Sequence, residues 1–345
     1  MDYHAVTIKD IARRLGISKS TVSRALRDHP NVKEETKKAV TALATALDYH
    51  PDPVALGLLN RKTFTLGVIV PNLSFPYFSL AVSGMQEIAS KAGYQIMICQ
   101  SNESYETEKA VIRTLTANRV DGLILSISIE TRDDSHIREL LRKKVPLVLF
   151  DRVMEEVNVP KVVMDNTDAA FRMTEHLIMQ GYKRIAHIAG PEALLVSHQR
   201  VRGYEVALKK YGIPVDRDLI IYKGFRIENG REAAEAFLQL PHPPDAILAV
   251  SDSAAAGAMM ILEERGLQIP QDVAVSGFND EIFTSFVKPT MTTVSLPMYA
   301  LGQEAIRMLL RQITHPEEPV SCVPQVLKSS LVLRESTRRK NDAEL

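Results

Sequence analysis

The pattern of apolar and polar positions changes character near residue 63. Before that point the apolar residues recur with helical spacing: Ile8, Ile11, Ala12 and Leu15 follow a 0, 3, 4, 7 rhythm that places them on one helix face. Thr7 is a good N-cap, Asp10 stands where the acid of a capping box belongs, and Gly16 ends the helix. Ser18 caps a second helix almost at once, with Ile17 and Val22 spaced as a hydrophobic staple. If Val22, Ala25 and Leu26 turn inward, then Lys19, Ser20, Ser23 and Arg24 lie on the outer face near the helix N-terminus. Two helices joined so tightly make a helix-turn-helix, whose early recognition-helix residues meet base edges in the major groove. A third helix is expected from about Glu34, with Thr36, Val40, Leu43 and Leu47 as its inner stripe, and Pro51 stops it. Pro53 then suits the first position of one more short helix, which is marginal alone because Gly57 costs it about 1 kcal/mol.

Beyond residue 63, short apolar runs alternate with amphipathic stretches. The runs "LGVIV" from Leu66, "YQIMIC" from Tyr94 and "GLILS" from Gly122 begin 28 residues apart. "PLVLF" from Pro146 continues this βαβ rhythm, which pauses and resumes through "RIAHIAG", "LIIYKG", "AILAVS" and "VAVSGF". Two parallel sheets are implied, with a break near Asp165, and "TTVSLP" and "QVLKSSLVL" suggest crossings between two lobes. The fold class is therefore α/β, a small all-α helix-turn-helix headpiece followed by a two-lobed domain with parallel sheets.

Composition narrows the function. A chain of 345 residues with 45% hydrophobic content buries a sizeable core in two or three domains. No apolar run approaches the roughly 18 residues of a membrane span, and "MDYHAVTIKD" lacks an export signal, so a cytoplasmic location is expected. Cys99 and Cys322, far apart in apolar segments, read as core residues and offer neither a disulfide framework nor a metal site. Net charge is zero overall, but residues 1–62 hold eleven Lys or Arg against seven Asp or Glu, a surplus of four that the remainder balances. Such an asymmetry suits a polyanion-binding module on an acidic body.

Catalytic signatures are missing. The two closest glycines are Gly224 and Gly230, so neither a dinucleotide fingerprint, a Walker loop nor a nucleophile elbow exists. None of the nine histidines pairs at four-residue spacing, which removes the helical zinc motif. No catalytic residue, metal or cofactor is expected.

The stretch "VTIKDIARRLGISKSTVSRAL", followed by "NVKEETKKAV" and "LDYHPDPVALGLL", resembles the DNA-binding headpiece of the lactose/galactose repressor (LacI/GalR) family of bacterial regulators. The resemblance implies that Lys19, Ser20 and Arg24 read bases, that Thr21 and Ser23 touch phosphates, and that Thr7, Ser18, Asn31, Val54 and Ala55 add DNA contacts. Leu58 falls where relatives drive a leucine into the minor groove, an apolar wedge that kinks DNA. Lys33 departs from the pattern, since relatives commonly cap the third helix with Ser there. The domain division implied is a headpiece at 1–50, a hinge at 51–63 and an effector-binding domain at 64–345. In that last part an N-lobe would hold about 64–164 and 296–323, and a C-lobe about 165–295 and 324–336.

The same resemblance extends to the body, which is similar to the periplasmic-binding-protein fold that this family uses to bind effectors. In open α/β sheets ligands sit beyond the carboxyl ends of the strands. Those ends here read "PNLSFPYF", "DRV", "SDS" and "ND", which makes Asn72, Phe75, Tyr77, Phe78, Asp151, Asp252 and Asn279 candidate contacts. Arg200, in "RVRGY", matches the family's ligand-binding arginine, and Phe225 falls where relatives stack an aromatic ring on the ligand. The expected function is a sequence-specific transcriptional regulator, most simply a repressor, controlled by a sugar or sugar derivative. One recognition helix reads only a half-site, so a homodimer on near-palindromic double-stranded operator DNA is implied. The competing reading, a stand-alone sugar-binding protein of the uptake type, leaves residues 1–62 without a purpose.

Overall fold

The computed structural model describes residues 6–49 and 62–339. The chain divides into two compact units, Met1–Phe64 and Thr65–Leu345. The expected DNA contacts Val54, Ala55 and Leu58 lie outside the described residues.

In the first unit, α1 spans Ile8–Leu15, α2 Lys19–Ala25 and α3 Glu34–Ala46. The Asp10 carboxylate accepts from both the backbone N–H (3.0 Å) and the hydroxyl (2.6 Å) of Thr7, which fixes where α1 begins. Gly16 closes it with φ +64, the left-handed turn that a residue without Cβ adopts cheaply. Ser18 Oγ then accepts from the Thr21 N–H at 3.1 Å and starts α2. Lys33 stands at the N-cap of α3 without a side-chain cap bond, so that helix lacks the bond a Ser would supply. Ile11, Ala12, Val22, Ala25, Val32, Val40 and Ala44 form a miniature core, with Leu43 and Leu47 packed against it.

The second unit holds two six-stranded sheets. The first contains β1 (Thr65–Val70), β2 (Gln95–Gln100), β3 (Gly122–Leu125), β4 (Leu147–Phe150), β5 (Lys161–Met164) and β11 (Gln325–Leu327) in the order β11-β5-β4-β3-β1-β2, all parallel. The second contains β6 (Ile185–Ala189), β7 (Ile220–Tyr222), β8 (Ala246–Ala249), β9 (Ala274–Asn279), β10 (Thr292–Ser295) and β12 (Ser330–Val332) in the order β12-β10-β9-β8-β6-β7. Only β12 runs antiparallel to its neighbour. The central strands are buried along their whole length, as expected where helices cover both faces of a parallel sheet.

Helices α4 (Pro76–Lys91) and α11 (Met298–Thr314) pack on each other beside the first sheet, and α5 (Tyr105–Ala117) and α6 (Ser135–Arg142) belong to the same lobe. In the second lobe α7 (Asn166–Met179) pairs with α8 (Leu195–Lys210), and α9 (Ile227–Leu238) pairs with α10 (Asp252–Glu264). The α4–α11 contact is backbone against backbone: a Cβ on Gly302 would lie 1.9 Å from the Ala81 carbonyl oxygen, and one on Gly84 2.1 Å from that of Tyr299.

The chain crosses between lobes at Asp165, after β10, and between β11 and β12. The last crossing corrects the expected boundary: residues 325–327 pair with β5 in the first lobe, and only from Ser330 does the chain join the second. "QVLKSSLVL" reads as one apolar run, yet Lys328 and Ser329 split it between two sheets. The strand β5 fell in the apparent pause of the βαβ rhythm, because its four residues carry no amphipathic stretch before them. Cys99 and Cys322 are both half-buried rather than core residues.

Candidate functional site

On the first unit, Lys19, Ser20 and Arg24 are exposed along α2, while Thr21 and Ser23 are half-buried beside them. The Ser18 hydroxyl lies 2.7 Å from that of Ser20 and 2.8 Å from that of Thr21, so the start of α2 presents a continuous rim of hydroxyls. Asn31 is exposed in the turn before α3, its backbone N–H bonded to His29 Nδ1. Thr7 spends its hydroxyl on Asp10. Short hydroxyl side chains beside two long cations suit phosphate oxygens and the acceptor edges of bases together.

On the second unit, the carboxyl ends of the strands face each other across a cleft lined by Phe75, Tyr77, Asp151 and Arg152 from the first lobe and by Val196, Arg200, Phe225, Ser251, Asn279 and Glu281 from the second. Six of the nine expected effector residues meet there: Phe75, Tyr77, Asp151, Arg200, Phe225 and Asn279. The free space between them amounts to about 20 Å³, room for one water molecule.

Local backbone explains the assembly. Asp151 at the end of β4 has φ +59, and Asn279 and Asp280 at the end of β9 have φ +113 and +57. Such left-handed residues are costly for side chains with a Cβ, and here they turn each chain end toward the cleft. Arg200 reaches the cleft from α8, held by Nε donating to Asn166 Oδ1 (3.0 Å) and Nη1 to the Val250 carbonyl (2.5 Å), with its guanidinium 4.2 Å from the Phe278 ring centre. Burial pulls its pKa down to about 10, against the opposing pull of Asp151, so it stays charged at neutral pH. Burial pushes the carboxyls of Asp151 and Glu281 upward. Phe225 is placed by Ser251, whose hydroxyl donates to the Phe225 carbonyl at 2.7 Å and caps α10 through the Ala254 N–H.

Three expected contacts lie elsewhere. Asn72 folds its own loop, Oδ1 accepting from the Ser74 N–H at 2.8 Å. Phe78 is fully buried beneath the cleft, stacked under Tyr77 with ring centres 4.3 Å apart. Asp252 is also fully buried, accepting from Thr293 Oγ1 (2.5 Å) and the Glu281 N–H (2.8 Å), and burial pushes its pKa up to about 8. As the first residue of α10 it points under β9 rather than out of the strand end. The cleft residues the sequence reading passed over include Arg152, Val196, Ser251, Glu281 and Leu296. Arg152 and Ser251 stood in the quoted "DRV" and "SDS", and only the facing of each side chain set them apart from their neighbours.

A larger cavity of about 520 Å³ opens near the crossings, with Lys161, Asn166, Gln199 and Cys322 among its walls. Its buried polar groups are committed, since Lys161 Nζ donates to the carbonyls of Glu155 and Val157 and Asn166 to that of Met164. Among the described residues no cluster of His, Cys, Asp and Glu could hold a metal ion, and no helix is long and apolar enough to cross a membrane.

Comparison with known proteins matches residues 7–52 to the family "Bacterial regulatory proteins, lacI family" and residues 63–329 to "Periplasmic binding proteins and sugar binding domain of LacI family". The HTH-type transcriptional repressor CytR of Escherichia coli (strain K12) is 34% identical over 334 residues, 97% of each chain. The lac repressor dimer bound to operator and the anti-inducer ONPF superposes with a TM-score of 0.86 at 26% identity, covering 96% of this chain and 99% of that one. The transcriptional regulator CelR in complex with cellobiose gives 0.74 at 30% identity over the same shares.

Proposed function

The chain belongs to the LacI family of bacterial regulatory proteins, and from that premise we propose how its residues divide the work of a DNA-binding transcriptional regulator. It is a repressor that binds operator DNA as a dimer, in the cytoplasm, and its body takes a sugar-type effector. Lys19, Ser20 and Arg24 read bases from the exposed face of α2, with Ser18, Thr21, Ser23 and Asn31 on sugar and phosphate oxygens, while Thr7, its hydroxyl held by Asp10, serves by starting α1 beside them. Leu58 is the apolar wedge in the minor groove, and Val54 and Ala55 add further DNA contacts. In the cleft, Arg200 and Asp151 hold effector hydroxyls while Phe225, Phe75 and Tyr77 cover the apolar face of its ring and Asn279 fixes its orientation. Nothing in this reading calls for catalysis.

The observation that carries the proposal is Arg200. It is a nearly buried guanidinium, fixed by Asn166 and a carbonyl, that opens into a cleft closing on the ends of two sheets. Two variants test the division. Arg24→Ala is expected to weaken specific operator binding by about 1–3 kcal/mol and relax preference at one base pair per half-site, with effector binding unchanged. Arg200→Ala is expected to abolish the effector response and leave operator affinity intact. Gel shifts and calorimetry on both variants decide it, and effector binding undiminished by Arg200→Ala would overturn the assignment.

A further inference from the structure

Arg152 is 2% exposed, yet its side chain lines the cleft. The left-handed Asp151 before it breaks strand alternation, so Asp151 and Arg152 both face inward. One end of the guanidinium is fixed: Nη1 donates to Glu103 Oε1 (2.9 Å) and Oε2 (2.8 Å). Asn102 and Glu103 are themselves left-handed, with φ +52 and +63, which returns the carboxylate under the arginine. Its faces are covered by the Phe78 and Phe225 rings, with centres 5.6 and 5.1 Å away.

The other edge is open. Nη2 reaches only the Tyr77 hydroxyl at 3.5 Å, and the buried Nε has no hydrogen-bond partner among the described residues. A buried N–H without an acceptor is costly, and in a guanidinium Nε and Nη2 form a planar fork that matches two adjacent acceptor oxygens. Arg200 lines the same cleft and makes no ion pair among the described residues, its hydrogen bonds going to an amide and a carbonyl. Of the acids nearby, Glu103 is bound to Arg152, and burial pushes the carboxyls of Asp151 and Glu281 upward.

We propose that Arg152 is a specificity-determining residue of the cleft and that the effector carries an oxyanion, as in a sugar acid or a sugar phosphate, which the open Nε–Nη2 edge reads. The proposal rests on the cleft being the effector site. Rigid fork geometry is what the arginine adds, since a lysine supplies the same charge as a point without the paired donors.

Thermal shift followed by calorimetry on the full chain tests it with three sets of probes: glucose and ribose; glucuronate and gluconate; glucose 6-phosphate and ribose 5-phosphate. At least one acid or phosphate is expected to bind tenfold or more tightly than its neutral counterpart, and the set that responds identifies the oxyanion. Arg152→Lys is expected to reduce that advantage to threefold or less while the melting temperature of the free protein holds. Neutral sugars binding as tightly as charged ones, no binding by any acid or phosphate, or an advantage that survives Arg152→Lys would each overturn the proposal. If neutral sugars bind and Arg200→Ala abolishes that binding, the effector cleft stands while the role of Arg152 falls. If an acid or phosphate binds equally well to Arg200→Ala and Arg152→Lys, the cleft reading falls with it.

Discussion

Single side chains in the second lobe carry opposite responses to pH. His187 is fully buried in β6, with Nδ1 on the Leu248 carbonyl and its ring stacked on Tyr204, and burial lowers its pKa to about 4 from 6.5. Between those values the unfolded chain binds the extra proton, so His187 makes stability rise with pH across that window. Asp252 has the reverse sign. Its folded pKa of about 8 lies above the ordinary 3.8, the native state holds the extra proton, and its contribution is lost as pH rises from about 4 to 8. Asp252→Asn can keep both hydrogen bonds, the amide oxygen accepting from the Glu281 N–H and the amide N–H₂ donating to Thr293 Oγ1. Urea unfolding at pH 5 to 8 is therefore expected to show the variant gaining on the parent as pH rises, by at most about 1.4 kcal/mol per pH unit. A constant difference across that range would mean that Asp252 stays ionised.

At the scale of elements, three helix pairs set the shape of the two lobes, and each meets through glycine. Gly84 and Gly302 bring α4 against α11, Gly203 brings α8 against the Thr167 carbonyl of α7, and Gly230 and Gly257 bring α9 against α10. A Cβ at these positions would meet backbone, which cannot rotate away as a side chain can. Gly302→Ala is accordingly expected to cost about 2 kcal/mol despite the better helix propensity of alanine, because the Ala81 carbonyl must move by more than an ångström. A drop in melting temperature with effector affinity retained is the expected result, and an unchanged melting temperature would show that the helices separate freely. The headpiece rests on smaller terms, a hydroxyl cap at Ser18 and an acid cap at Asp10, joined to a core of seven buried side chains.

For the whole molecule, the two units make separable functions the natural expectation. A chain beginning at residue 63 retains both sheets, all three crossings and every cleft residue. It should bind effector with the affinity of the full chain and show no specific operator binding in a gel shift. A severalfold change in effector affinity would mean that the first 62 residues contribute to the cleft. The lobes themselves are tied by crossings at Asp165, after β10 and at Lys328–Ser329, where Arg172 Nη2 holds both the carbonyl and the hydroxyl of Ser329. Within the cleft about 20 Å³ is free between the lobes, so the two strand-end surfaces stand close together.

The sequence by itself determined what depends on near neighbours along the chain. Helical spacing, the caps at Thr7 and Ser18, the stop at Gly16, the exposed face of α2 and most strands of both sheets were legible, because a period of 3.6 or of a short buried run is a local property. That six of the expected residues would meet in one cleft was legible too, since strand ends in an open sheet are where ligands go. Tertiary structure alone decided which neighbour at a strand end faces the cleft. Asp252 was expected there and turns under β9, whereas Arg152, one residue beyond an expected contact, faces in because a left-handed backbone angle at Asp151 reverses the alternation. It also decided that "QVLKSSLVL" serves two sheets, because the partners of β11 and β12, β5 and β10, lie far away in sequence. Hydrogen-bond pairing and burial are set by residues brought together through space, and no periodicity along the chain encodes them.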